Sequence, residues 1–119
     1  YTSYAYDKVR EYAASDEEFT RRAGFALLAT LAVGDKRASD DDFRAFLPLI
    51  ERGAEDSRVR IGKAVNWALR QIGKRSRGLY PDALALARRL AAKEGAAARR
   101  IGRDAVRELT LERIIARIK

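Results

Sequence analysis

An all-α fold of stacked helix pairs is predicted by three features of the sequence. Ala, Leu, Arg and Glu are common and β-branched runs are short, which favours helix over strand. The only two prolines, Pro48 and Pro81, stand where a helix can break or begin. Apolar residues recur at three- and four-residue intervals along the chain, the pattern of amphipathic helices. With 119 residues and 47% apolar side chains, a single domain over residues 1–119 can bury a core.

The elements follow in order. A first helix is expected over about Tyr4–Ala13. Ser15 stands to cap the second, with Glu18 three residues on to close a capping box. That helix should run to Val33 and stop at Gly34. Ser39 or Asp40 caps a third to about Arg52, with Gly53 beyond it. Pro48 should kink this segment or split it in two. Asp56 or Ser57 caps a fourth, which reaches about Lys74. Pro81 suits the first turn of a fifth, with Gly95 as its stop. A sixth covers about Ala97–Leu109, and Thr110 caps a last short helix.

An internal repeat refines this into an architecture. KAVNWAL at Lys63–Leu69 aligns with RAGFALL at Arg22–Leu28, at a spacing of 41. RIGRDAVREL at Arg100–Leu109 aligns with RIGKAVNWAL at Arg60–Leu69, at a spacing of 40. Each copy falls on the second helix of a pair. Paired helices at this period read as a HEAT-like or armadillo-type helical repeat solenoid, an α-α superhelix of about three pairs.

Composition excludes several chemistries. The chain has no Cys and no His, so thiolate metal sites, disulfides and imidazole acid–base catalysis are out. No stretch approaches the length of a membrane span, and the start lacks the pattern of a signal peptide. The expected location is cytoplasmic, with no membrane, metal or cofactor involved. The chain starts at Tyr1 and contains no Met, so it is expected to be the C-terminal part of a longer protein. Nothing in it indicates an oligomeric state.

The net charge of +8 is divided unevenly. Residues 1–57 hold 8 Lys/Arg against 12 Asp/Glu, and residues 58–119 hold 17 against 5. That asymmetry points to a polyanionic partner for the second half. Around the fourth helix, Ile61, Ala64, Val65, Ala68, Leu69 and Ile72 share one face, the expected core. Lys63, Trp67, Arg70 and Lys74 share the other. The only tryptophan thus sits among cations. It can pack on a neighbouring repeat or a missing segment, be covered by cation stems, or stack on a base or sugar beside a phosphate clamp.

The sixth helix shows the same division. Ala98, Ile101, Ala105 and Leu109 face inward, while Arg99, Arg100, Arg103 and Arg107 face out. Guanidinium forks suit phosphate because they donate two hydrogen bonds at once. Asp104 and Glu108 would neutralise part of this surface. Arg22, beside Ala26 and Ala29 on a largely apolar helix, requires an anion, either a structural carboxylate or a phosphate. Asp40, Asp41 and Asp42 read as helix-start residues. Tyr1, Tyr4, Tyr6 and Tyr12 are expected to pack the first helix against a segment this chain lacks. No catalytic constellation is identified.

The segments EFTRRAGFALLATLAVGDK, KAVNWALRQIGKR and GRDAVRELT resemble the C-terminal half of the AlkD-like DNA alkylation repair proteins, over about Tyr4–Leu109. The resemblance implies HEAT-like repeats around a basic groove that holds duplex DNA, alkylated in the active members. Those members are N-glycosylases that release alkylated purines without flipping the base into a pocket. By motif, Trp67 matches the tryptophan of the later repeat and Arg22 the arginine of the preceding one; Lys63 and Arg70 match flanking cations. The family's catalytic aspartate and its partner tryptophan lie upstream of the matching region, and Asp7, Asp16 and Asp35 do not fit that motif. The DNA-binding set is therefore Arg22, Lys63, Trp67, Arg70, Lys74, Arg99, Arg103 and Arg107. The alternative is a non-catalytic repeat protein that binds structured nucleic acid or an acidic protein.

Overall fold

The structure, a computed structural model, describes residues 2–119. These residues form α1 (Ser3–Ala13), α2 (Glu18–Gly34), α3 (Asp40–Arg44), α4 (Leu47–Gly53), α5 (Val59–Arg75), α6 (Tyr80–Ala91), α7 (Ala96–Leu109) and α8 (Glu112–Ile115). Among the described residues there is no strand, and no helix is long and apolar enough to cross a membrane. The expected third helix is split, as Pro48 required: Pro48 lies in the first turn of α4, and α3 ends before it.

The helices stack in two layers within extents of 38 × 36 × 18 Å. The short dimension is about twice the width of a helix. One row consists of α2, α5 and α7, in which α5 packs against both neighbours. The other backs it: α1 against α2, α4 against α5, and α6 against α7 and α5. Three helix pairs result, with the repeated segments on the second helix of each. Leu28, Leu69 and Leu109 occupy equivalent repeat positions, and all three are fully buried. The predicted inward faces of α5 and α7 are the core faces, from Ile61 to Ile72 and from Ala98 to Leu109.

Two glycines set how closely the pairs pack. A Cβ on Gly24 would lie 2.5 Å from the Ala13 backbone nitrogen, and one on Gly102 would lie 2.2 Å from that of Ala91. Neither distance leaves room for a side chain, so α1/α2 and α6/α7 meet backbone to backbone.

Several helix starts differ from expectation. The cap of α2 is Glu17, whose carboxylate accepts from the backbone N–H groups of Phe19 and Thr20; Ser15 instead accepts from Glu17 N–H. Ser39 caps α3 in a reciprocal box with Asp42. α5 begins after Arg58 with no side-chain cap. Asp56 has stronger partners than helix N–H groups: the guanidiniums of Arg58 and Arg21, each at 2.8 Å. The Arg58 fork, more than the opposing effect of burial, holds the Asp56 carboxyl well below its usual range. Gly95 is the N-cap of α7 rather than the stop of α6, which ends at Ala91. Thr110 donates back to the Val106 carbonyl and does not cap α8.

The C-terminal end of α2 is closed by another helix. Arg75 donates to the carbonyls of Ala32, Asp35 and Ala38 at 2.8, 2.6 and 2.9 Å, and its guanidinium lies 4.3 Å from the Phe43 ring centroid. A cation is favoured there by the helix dipole. Tyr6 likewise finds partners inside this chain, contrary to expectation: it packs against Phe43 and Phe46 and donates to Asp35 at 2.5 Å. Burial and the Asp35 carboxylate raise its phenol well above the usual range. Tyr4 is largely exposed, and Tyr1 lies outside the described residues.

Candidate nucleic-acid interface

The open face of the α2–α5–α7 row carries a groove on each side of α5. The α2/α5 groove encloses about 570 Å³ and is lined by Phe19, Arg22 and Ala26 from α2 and by Arg60, Lys63, Ala64 and Trp67 from α5. It follows from two helical stripes. Phe19, Arg22, Ala26 and Val33 recur at helical spacing along α2 on the side away from Phe25, Leu28 and Leu31, which enter the core. Arg60, Lys63 and Trp67 recur likewise on α5, opposite Val65 and Leu69.

Trp67 is 37% exposed, so its indole is neither in the core nor free of the protein surface. Among the described residues no cation lies over its ring; the cation–π pair in this groove is Arg60 over Phe19, at 5.5 Å. Arg22 is exposed and has no carboxylate partner among the described residues. The structural arginine in that segment is its neighbour Arg21, bound to Asp16, Asp56 and the Ser15 carbonyl. Ala29, expected beside Arg22, is fully buried, leaving Ala26 as the small residue of the groove. Lys63 and Arg60 are also exposed and outside every ion pair among the described residues. The groove thus combines an exposed indole, an exposed phenyl ring, three uncommitted cations and no carboxylate.

The α5/α7 side uses similar residues to another end. Arg70 donates to Glu108 at 2.9 Å and to Asn66 at 3.0 Å. Lys74 lies 2.8 Å from the other Glu108 oxygen. Burial pushes the Glu108 carboxyl up, but Lys74 and Arg70 outweigh it and leave it below its usual range. Arg107 donates to Asp104 at 2.7 Å. Arg99 turns back to the Glu94 carbonyl at 2.7 Å, in the loop before α7. Of the expected DNA-binding residues, the structure therefore brings Arg22, Lys63 and Trp67 together. It pairs Arg70, Lys74 and Arg107 with carboxylates, turns Arg99 toward its own loop, and leaves Arg103 exposed beyond the groove lining.

Three residues at the grooves fall outside the expected set. Arg60 and Phe19 line the α2/α5 groove, and Arg100 reaches a smaller cleft of about 160 Å³ between α5 and α7, with Lys63 at its edge. A signal for Phe19 is present in the sequence: with Ala26 and Val33 at seven-residue spacing it gives α2 a second apolar stripe opposite the core. The Asp40–Asp42 run is spent locally. Asp42 closes the capping box, Asp41 pairs with Arg44, and Asp40 accepts from Ser76. Among the described residues no group of three or more carboxylates is placed to hold a metal ion.

No significant match exists among curated proteins or solved structures. The model of one family, described as DNA alkylation repair enzyme, matches residues 2–109, a span that includes every residue of the α2/α5 groove. The chain therefore belongs to the DNA alkylation repair enzyme family.

Proposed function

We propose that this chain is a DNA-binding module of a DNA alkylation repair protein, gripping the backbone of alkylated duplex DNA in the α2/α5 groove. The observation that carries this reading is the pairing of a half-exposed Trp67 with three cations, Arg22, Arg60 and Lys63, that no carboxylate among the described residues neutralises. Phosphate would complete the charge balance, and the guanidinium forks of Arg22 and Arg60 can each donate to two of its oxygens. Trp67 supplies a flat apolar surface for a sugar or base edge, and its position between cations aligns it with the backbone. Arg100 and Arg103 extend the basic surface on α7 as outer contacts.

In this reading the intact protein is an N-glycosylase for alkylated purines. Breaking that glycosidic bond develops positive charge on the sugar, which a carboxylate stabilises. The groove lining contains none. That lining favours a second reading, in which the chain binds structured nucleic acid without chemistry of its own.

Two measurements separate these. Duplex binding followed by anisotropy should weaken log-linearly with salt, and absence of binding at low salt rejects the nucleic-acid reading. Release of methylated purines from alkylated duplex by the gene product then distinguishes glycosylase from binder.

A further inference from the structure

We propose that the C-terminal tail, residues 110–119, forms a second phosphate-binding cluster that lengthens the α2/α5 track. This rests on the DNA-binding reading above and adds a site outside the segment that defines the family, since the family match ends at residue 109. Past Trp67, the seam between α2 and α5 continues into a groove of about 280 Å³ lined by Val33, Lys36, Gln71 and Lys74 together with Arg117 and Lys119.

The tail is held in place there. Ile118 is 5% exposed, and its carbonyl accepts from Arg77 Nε at 3.2 Å. The exit from α7 is pinned by Tyr80, whose hydroxyl donates to the Leu109 carbonyl at 2.6 Å. With Ile118 anchored, Arg117 and Lys119 on either side of it stand at the end of the seam. Both are exposed, as is Lys36, and none of the three is in an ion pair among the described residues. Lys74 gives its charge to Glu108. The acceptors at this end of α2 are already taken, because Arg75 occupies the carbonyls of Ala32, Asp35 and Ala38. What remains is three side-chain cations in a groove whose lining holds no Asp or Glu side chain.

The spacing suits a polyanion. From Lys63 to Lys74 along α5 is about 16 Å at 1.5 Å per residue, or about five nucleotides of one strand at 3.4 Å each. The two clusters face one seam with Trp67 between them, so a single backbone can engage both. An isolated small anion would use only one.

The test uses the whole chain and two labelled duplexes, one long enough to cover both clusters and one shortened by about five base pairs. Replacing both tail cations with glutamine (R117Q/K119Q) should weaken binding to the long duplex several-fold and lower the magnitude of the salt slope by about 2. On the short duplex the variant and the wild type should bind alike. Both side chains are exposed, so the thermal transition should not move. Ile118→Ala keeps both charges but loosens the anchor, and should retain only part of the wild-type affinity. A double glutamine variant that binds the long duplex with the wild-type slope overturns the tail proposal while leaving the groove reading intact. Failure of the wild type to bind either duplex overturns the groove reading itself, and the tail proposal with it. If the tail substitutions abolish binding to polyglutamate but leave duplex binding unchanged, the cluster serves an acidic protein instead, and the proposal is overturned.

Discussion

The two sides of α5 draw on the same residue types and reach opposite electrostatic states. Toward α2, Arg22, Arg60 and Lys63 surround Trp67 with no carboxylate in the lining. Toward α7, Arg70 and Lys74 share Glu108, and Arg107 is held by Asp104. A helix's own stripe of cations therefore does not define a binding surface. What decides is whether the facing helix turns an acid into the groove: α7 turns Glu108 onto Arg70 and Lys74, whereas the one acid of α2, Glu18, lies outside the α2/α5 lining. Ion pairs at a partly exposed seam contribute little to stability. Their larger effect here is to remove positive charge from one groove and leave it in the other.

The contrast makes its strongest prediction for duplex affinity. Replacing Arg22, Arg60 and Lys63 together with glutamine should cost about a hundredfold at low salt, at roughly 1 kcal/mol per contact, and lower the salt slope by about 3. The matching change on the other side, Arg70→Gln with Arg107→Gln, should leave the slope within experimental error of wild type. If the two sets lose slope equally, the distinction between the grooves fails. Trp67→Ala comes next. It should weaken binding about tenfold, the scale of one stacking contact, with the slope unchanged because no charge is removed. A slope that falls with Trp67→Ala would mean that the indole orders the cations rather than contacting the ligand.

A gain should follow from breaking the other side. Glu108→Gln releases Arg70 and Lys74, and the α5/α7 side should then resemble its neighbour. Duplex affinity should rise several-fold, with a slope steeper by up to about 2. The outcome that contradicts this is an unchanged or shallower slope in a variant whose helix content is intact by circular dichroism.

Much of this is legible in the sequence, and the illegible part has a consistent cause. The inward face of α5 can be read because Ile61, Val65, Leu69 and Ile72 recur at helical spacing, and burial depends mainly on spacing. The split at Pro48 can be read because proline acts on its own helix. Charge pairing can be read only in part: Asp104 and Glu108 stand out as acids that neutralise the α7 face, but which cations of another helix they meet does not. Glu108 meets Arg70 across 38 residues of sequence, and Asp56 meets Arg21 across 35. Those meetings depend on which turn of one helix faces which turn of another. The same limit bears on the cap of α5: of the two guanidiniums that take the Asp56 carboxylate, Arg58 is only two residues on, but Arg21 reaches it from 35 residues away. At the site, Lys63 and Trp67 are recoverable from one helix, whereas the uncommitted state of Arg22 and Arg60 requires the packed pair.

The smallest effect expected is on acid stability, and it separates the two sides without any ligand. Glu108 is held below the ordinary glutamate range in the folded state. A carboxyl depressed on folding contributes stability at pH values above its unfolded value, about 4.3, and loses it as pH falls through the lower folded value. With the Glu108 side chain 25% exposed, the pairing contributes about 1 kcal/mol after solvent screening. Chemical denaturation at neutral and acidic pH should therefore show Glu108→Gln less stable than wild type near neutrality, with the difference closing as the medium becomes acid. Arg22→Gln and Lys63→Gln should track the wild type across the same range, because their groove lining holds no carboxylate whose proton affinity could change on folding. A wild-type-like acid limb in Glu108→Gln would mean that Glu108 does not hold Arg70 and Lys74 in solution, and those α5 cations would then be as free to meet a polyanion as the ones facing α2.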